Sequence, residues 1–376
     1  MTTQLDPPAS LAVAGADSIE WANGTRVGFS DGRTAQCATA GLWCQVLGHS
    51  GLDAASIIGH GGHDPTGALR ELDPSFPGLA ATGNRAETGL ALDGLLRRSA
   101  STSDGTRSPV VRRLHPPSLP VQPGSVAAML TDRNVIVEDF DDGPLSDAEF
   151  LLVEPAGRWG TALLEIDTIR HGIEQARRDD VFVLVDEIGS SVLRNQGLGR
   201  RNSGGLGDVV GDVVVYGPEL TNGTFETHFL SMAPERAQLV HNRHTVTDSE
   251  VKAVVVMLTV IRSAEFQDNQ RLIGNLLAKG MRFLLDEGLV TSASGRGLSW
   301  TLSPAPGTTG RTPQGGLAMS ERFRRQQVWL PVDDIGRVYV LPAAISTPGD
   351  VARLLDGLHA GLSGDDAPAQ ADVGWR

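Results

Sequence analysis

Apolar residues first alternate with polar ones along the chain and then gather into short continuous runs. The segment Ile19-Glu20-Trp21-Ala22-Asn23-Gly24-Thr25-Arg26-Val27-Gly28-Phe29 alternates around an Asn-Gly pair, which predicts a β-hairpin. Asp31-Gly32 marks a second turn, and residues 1–17 read as a flexible start. From about residue 66 the pattern changes. Val110 to Leu114, Val126 to Leu130, Val135 to Asp139, Phe150 to Val153, Val181 to Val185 and Val213 to Tyr216 are short, largely apolar runs between polar stretches. Such runs predict buried parallel strands. Leu163, Ile166, Ile169, Ile173 and Ala176 recur at helical spacing between two of them. A helix placed there makes a crossover and hence a βαβ unit.

Further along, helix-start signals are explicit. Thr247-Asp248-Ser249-Glu250 is a capping box opening a helix with Val251, Val254, Val255, Leu258 and Ile261 on one face. A last helix is expected from Thr347-Pro348-Gly349-Asp350, with Leu354, Leu355 and Leu358 as its buried stripe. Ser99 to Ser108 and Ser303 to Gly316 are rich in Ser, Thr, Pro and Gly and read as loops. The tail after Gly361 is expected to be disordered.

Composition narrows the function classes. A net charge of −13 and a pI near 5.1 argue against nucleic acid and anionic membranes as partners. No apolar run is long enough to span a membrane. Met1 to Ala16 carries no basic segment of an export signal, so a cytoplasmic protein is expected. Cys37 and Cys44 then read as buried or idle thiols rather than a disulfide. Among 376 residues the only lysines are Lys252 and Lys279. His60-Gly61-Gly62-His63-Asp64 has metal-ligand residue types, but no Cys or third His follows at ligand spacing; it reads as a glycine-rich loop, and no metal is expected.

The chemistry gathers at strand ends. Val183-Leu184-Val185 runs into Asp186-Glu187, two acids at the carboxyl end of a predicted strand, where open α/β sheets bind ligands. One crossover earlier, Leu151-Leu152-Val153 runs into Glu154-Pro155-Ala156-Gly157. One strand later, Val213-Val214-Val215-Tyr216 runs into Gly217-Pro218-Glu219-Leu220-Thr221-Asn222-Gly223. In this order and spacing the three resemble class III, pyridoxal-phosphate-dependent aminotransferases of fold type I. Asp31-Gly32-Arg33, Gly41-Leu42-Trp43 to Leu47-Gly48-His49, Arg243-His244-Thr245, Gly295-Arg296-Gly297-Leu298 and Val338 to Ile345 extend the resemblance over most of the chain.

The resemblance implies an α/β fold: a large domain around a mostly parallel sheet, and a smaller α+β domain from the N- and C-terminal segments. The expected division is 1–55 and 266–362 for the small domain, 56–265 for the large one, and 363–376 as the tail. It implies pyridoxal phosphate as cofactor, with Asp186 holding the pyridine nitrogen. Thr82, Gly83 and Asn84, helped by Arg85, are the best match to a phosphate turn from which the chain departs, and read equally as an ordinary helix start; His115 is the best match to the ring-stacking segment, and Thr245 matches a contact to the phosphate of a neighbouring subunit. It also implies a dimer.

The departures carry as much meaning. Pro218 falls where the family has its Schiff-base lysine, and proline has no amine to form that bond. No lysine lies between Met1 and Val251 to replace it. Leu114-His115-Pro116 offers no aromatic ring for stacking, and Arg97 to Phe140 is short for the family. Any cofactor is therefore expected to be noncovalent at best. Three readings follow. The first is a protein without ordinary transamination, acting as a structural or regulatory partner, as a homodimer or with a lysine-containing homologue. The second is an enzyme of other chemistry with Asp186, Glu187, Glu154 or Glu219 as acid or base. The third is amino-group transfer on noncovalently bound pyridoxal or pyridoxamine phosphate.

Overall fold

A computed structural model describes residues 11–12, 19–39, 47–49, 78–99, 108–116, 121, 125–140, 145, 148–155, 164–188, 211–240, 244–306, 313–333 and 336–364. These fall into two compact units. The chain opens with strands of the second unit: β1 (Leu11–Ala12), β2 (Ile19–Asn23), β3 (Arg26–Phe29) and β4 (Thr34–Cys37). Strands β2 and β3 form the hairpin that the alternation predicts, closed at Gly24, whose φ of 55° suits glycine.

The first unit follows. Its elements are β5 (Gly78–Thr82), α1 (Arg85–Ser99), β6 (Val110–Leu114), α2 (Val126–Thr131), β7 (Ile136–Asp139), β8 (Phe150–Val153), α3 (Ile166–Arg178), β9 (Phe182–Asp186) and β10 (Val213–Tyr216). After β10 come a single 3-10 turn (Pro218–Thr221), β11 (His228–Met232), α4 (Pro234–Ala237) and α5 (Asp248–Arg262). Seven strands form one sheet in the order β5-β11-β10-β9-β8-β6-β7. From β10 to β7 all neighbours are parallel, and β11 runs against both of its neighbours. The strands are nearly continuous Val, Leu and Phe because the sheet is covered. Leu92, Leu95 and Leu96 of α1 and Val126, Met129 and Leu130 of α2 join Val111, Phe150, Leu152, Leu184 and Val213 in its core.

One predicted strand is a helix. Val126 to Leu130 is the core of α2, not a strand. A run of Val-Ala-Ala-Met-Leu has no period to separate the two states, but it is mostly good helix formers. Ser125 decides the matter, with its hydroxyl accepting from Ala128 N at 3.3 Å as the N-cap.

The second unit resumes with α6 (Ala264–Asp286), β12 (Val290–Arg296), β13 (Ser299–Pro304), α7 (Pro313–Arg325), β14 (Val328–Trp329), β15 (Val332–Asp333), β16 (Val338–Val340) and α8 (Pro348–Ser363). It holds an antiparallel sheet, β1-β15-β16-β13-β12, and a smaller one, β14-β4-β3-β2, around Val27, Phe29, Cys37 and Trp329. Thr347 and Asp350 form the expected capping box of α8. Two boundaries differ from expectation. Ser303 and Pro304 complete β13 and Pro313 opens α7, so the loop is shorter than its composition predicts. Helix α8 continues past Gly361 to Ser363, ending at Gly364 with φ 82°. Gly361 lies within it against Phe323: a Cβ at 361 would lie 2.4 Å from that ring. Cys37 is a buried thiol, its Sγ 3.1 Å from both Thr39 Oγ1 and His49 Nε2. Cys44, the His60–His63 segment and the chain beyond Gly364 lie outside the described residues.

Among the described residues no helix is long and apolar enough to cross a membrane, and no group of three His, Cys, Asp or Glu is placed to hold a metal.

Candidate functional site

Parallel strands bring their carboxyl ends to one edge of the sheet. Pairing of Val153 with Val185, and of Val215 with Asp186, puts Glu154, Asp186 and the turn at Gly217-Pro218 on three adjacent strands. All the acids here are buried: Glu154, Asp186, Glu187 and Glu219 are each under a tenth exposed. One buried arginine faces them among the described residues. Arg113, on β6, reaches Glu154 Oε2 with Nε at 2.7 Å and Nη2 at 2.6 Å. Sequence reasoning misses this residue, whose signal is an arginine pair in an otherwise apolar strand. Both nitrogens converge on that one oxygen, and both partners are shielded from water. Burial still holds the Glu154 carboxyl above its usual range, with Arg113 opposing.

Asp186 is engaged by the chain itself. Its Oδ2 accepts from Val126 N at 2.7 Å and its Oδ1 from Ile188 N at 2.9 Å. Val126 is the first residue of α2, so a free N–H of a helix start points at the carboxylate. Burial, then the neighbouring Glu154 charge, push Asp186 up to about 7; the two N–H donors pull the other way. Glu187 lies beside it, its N–H donating to Val215 O at 2.9 Å.

The turn 82–84 is also closed on itself. Gly83 N donates to Glu87 Oε2 at 2.7 Å, and Asn84 Nδ2 to Glu87 Oε1 at 3.2 Å. Asn84 Oδ1 accepts from Glu87 N at 3.0 Å, capping α1. The Thr82 hydroxyl is fully buried, 2.6 Å from that of Thr88. Arg85 points to solvent. Glu87 went unread in the sequence, although Asn84 and Glu87 have capping-box spacing.

The remaining candidates are placed as follows. Pro218 is buried as the first residue of the 3-10 turn, where its fixed φ and missing N–H are tolerated. Glu219 Oε1 accepts from Gly217 N at 2.9 Å, so this acid braces the turn. His115 sits just past β6 with Nε2 2.8 Å from Asp139 and Nδ1 2.8 Å from Pro116 O. Thr245 is exposed ahead of α5. Beside it, His244 Nε2 lies 3.0 Å from buried Glu250, which also accepts from Thr227 and from Thr247 N. Lys252 is half-buried on α5 and Lys279 exposed on α6. Arg243 lies outside the described residues.

The seven-stranded, mostly parallel sheet is that of the fold type I aminotransferases. N-acetylornithine aminotransferase from Stenotrophomonas maltophilia superposes with a TM-score of 0.72 at 20% identity, over 94% of this chain and 96% of that one. Ornithine aminotransferase from Toxoplasma gondii, described with pyridoxal phosphate at its active site, gives 0.73 at 15% identity, covering 94% and 90%. The omega transaminase of Pseudomonas jessenii, in complex with pyridoxamine phosphate, gives 0.68 at 15% identity, with 92% of each chain covered. No family model and no curated protein matches the sequence.

At the end of β10, where the resemblance expects a Schiff-base lysine, the chain has Pro218. Each Asp186 oxygen accepts one main-chain N–H, and the Glu87 carboxylate accepts the N–H of the turn at Gly83.

Proposed function

We propose that this chain is an aminotransferase-fold protein without lysine-dependent transamination, acting as a structural or regulatory partner within a dimer, with itself or with a lysine-containing homologue. The observation that carries the reading is Pro218: buried at the end of β10, one strand from Asp186, it leaves that position without an amine. Lys252 and Lys279 lie on helices α5 and α6, and chemistry of this kind depends closely on placement.

The test uses the full chain with pyridoxal phosphate, reduced with borohydride and mapped by peptide mass. No pyridoxyl adduct above the level of a randomly modified surface lysine is expected. A stoichiometric adduct on Lys252 or Lys279 contradicts the proposal. Light scattering of the same protein is expected to report a dimer. A monomer that persists when a lysine-containing homologue is added removes the partner role.

A further inference from the structure

We infer that Glu87 is a built-in anion that closes the turn 82–84 to phosphate-bearing ligands. The start of a fifteen-residue helix attracts negative charge, because its first N–H groups lack helical partners and its dipole is positive there. Here the chain supplies that charge. Glu87 folds back so that Oε2 takes the Gly83 N–H at 2.7 Å and Oε1 takes the Asn84 side-chain amide at 3.2 Å. The position is tight as well as satisfied. A Cβ added at Gly83 would lie 3.0 Å from Glu87 Oε2 and 3.1 Å from His244 Nδ1, so carboxylate and imidazole flank the glycine. His244 is itself fixed, its N–H on Ala81 O at 2.9 Å and its Nε2 on Glu250. An incoming phosphate at this turn would meet a carboxylate that already holds the Gly83 N–H and the Asn84 side-chain amide, and like charges repel at such range.

This deepens the reading above by naming what excludes the phosphate group. The two can fail separately, because inorganic phosphate needs no amine. The experiment titrates inorganic phosphate into the full-length wild type and into Glu87→Ala, following the Gly83 amide by NMR with ¹⁵N-glycine labelling. Glu87→Gln, which loses the charge and keeps one of the two acceptors, is the second variant. Saturable shifts at Gly83 are expected in Glu87→Ala, at least about tenfold tighter than in wild type, with Glu87→Gln between them. Equal binding by wild type and Glu87→Ala overturns the inference. So does a folded Glu87→Ala that shows no saturable shift.

Discussion

Asp186 is an acid whose surroundings, more than its own chemistry, set its charge. Its pKa in the folded chain, up to about 7, stands above the ordinary 3.8, with burial the first cause and Glu154 the second. Between those values the folded chain binds a proton that the unfolded chain has released. Stability therefore falls as pH rises through the window, and the penalty is complete above about 7. Asp186→Asn removes the titration. Its amide can accept from only one of Val126 N and Ile188 N, a cost of about 1–3 kcal/mol at every pH. The signature is thus the slope. The melting temperature of Asp186→Asn relative to wild type is expected to improve between about pH 5 and about pH 8. A difference that stays flat over that range contradicts this assignment of the charge.

At the scale of elements, α2 is what engages Asp186, and it is the element that the sequence misplaces. Proline is compatible with the first position of a helix, and Ser125, at φ −76° and ψ 164°, can precede it. Val126→Pro therefore deletes the N–H donated to Asp186 while leaving α2 able to form. Measured against Val126→Ala, which loses side-chain packing alone, Val126→Pro is expected to cost about 1–3 kcal/mol more in denaturant unfolding. Equal stabilities would mean that the bond to Asp186 contributes nothing. The caps at Thr247 and Thr347 were legible because capping is local: hydroxyl and acid lie three residues apart. The parallel strands were legible from apolar runs between polar loops. Val126 to Leu130 was not, since a five-residue apolar run looks alike in both states, and Ser125 alone tells them apart.

Over the whole molecule, the order of strand-end motifs pointed to the fold, which the solved structures share at 20% identity and below. The positions of Glu154, Asp186 and Pro218 at strand ends could be read in advance, because a parallel sheet aligns those ends. Their bonding partners could not. Val126 and Asp186 are 60 residues apart, Arg113 and Glu154 are 41 apart, and only the folded sheet joins them. We propose that several linked groups are missing or occupied by the chain itself, so that restoring one restores nothing. Leu114 offers no stacking face, which is worth about 0.5–1.5 kcal/mol when aromatic. With Glu87 holding the Gly83 N–H, a phosphate forgoes a charge-assisted hydrogen bond of about 1.5–3 kcal/mol. Together they are expected to weaken cofactor binding by about one to three powers of ten. The most direct test is the visible spectrum of Pro218→Lys with stoichiometric pyridoxal phosphate. No imine absorption band is expected above that of wild type. A yellow Pro218→Lys protein that loses its colour on adding an amino donor would contradict the account and make the wild type the product of a single substitution.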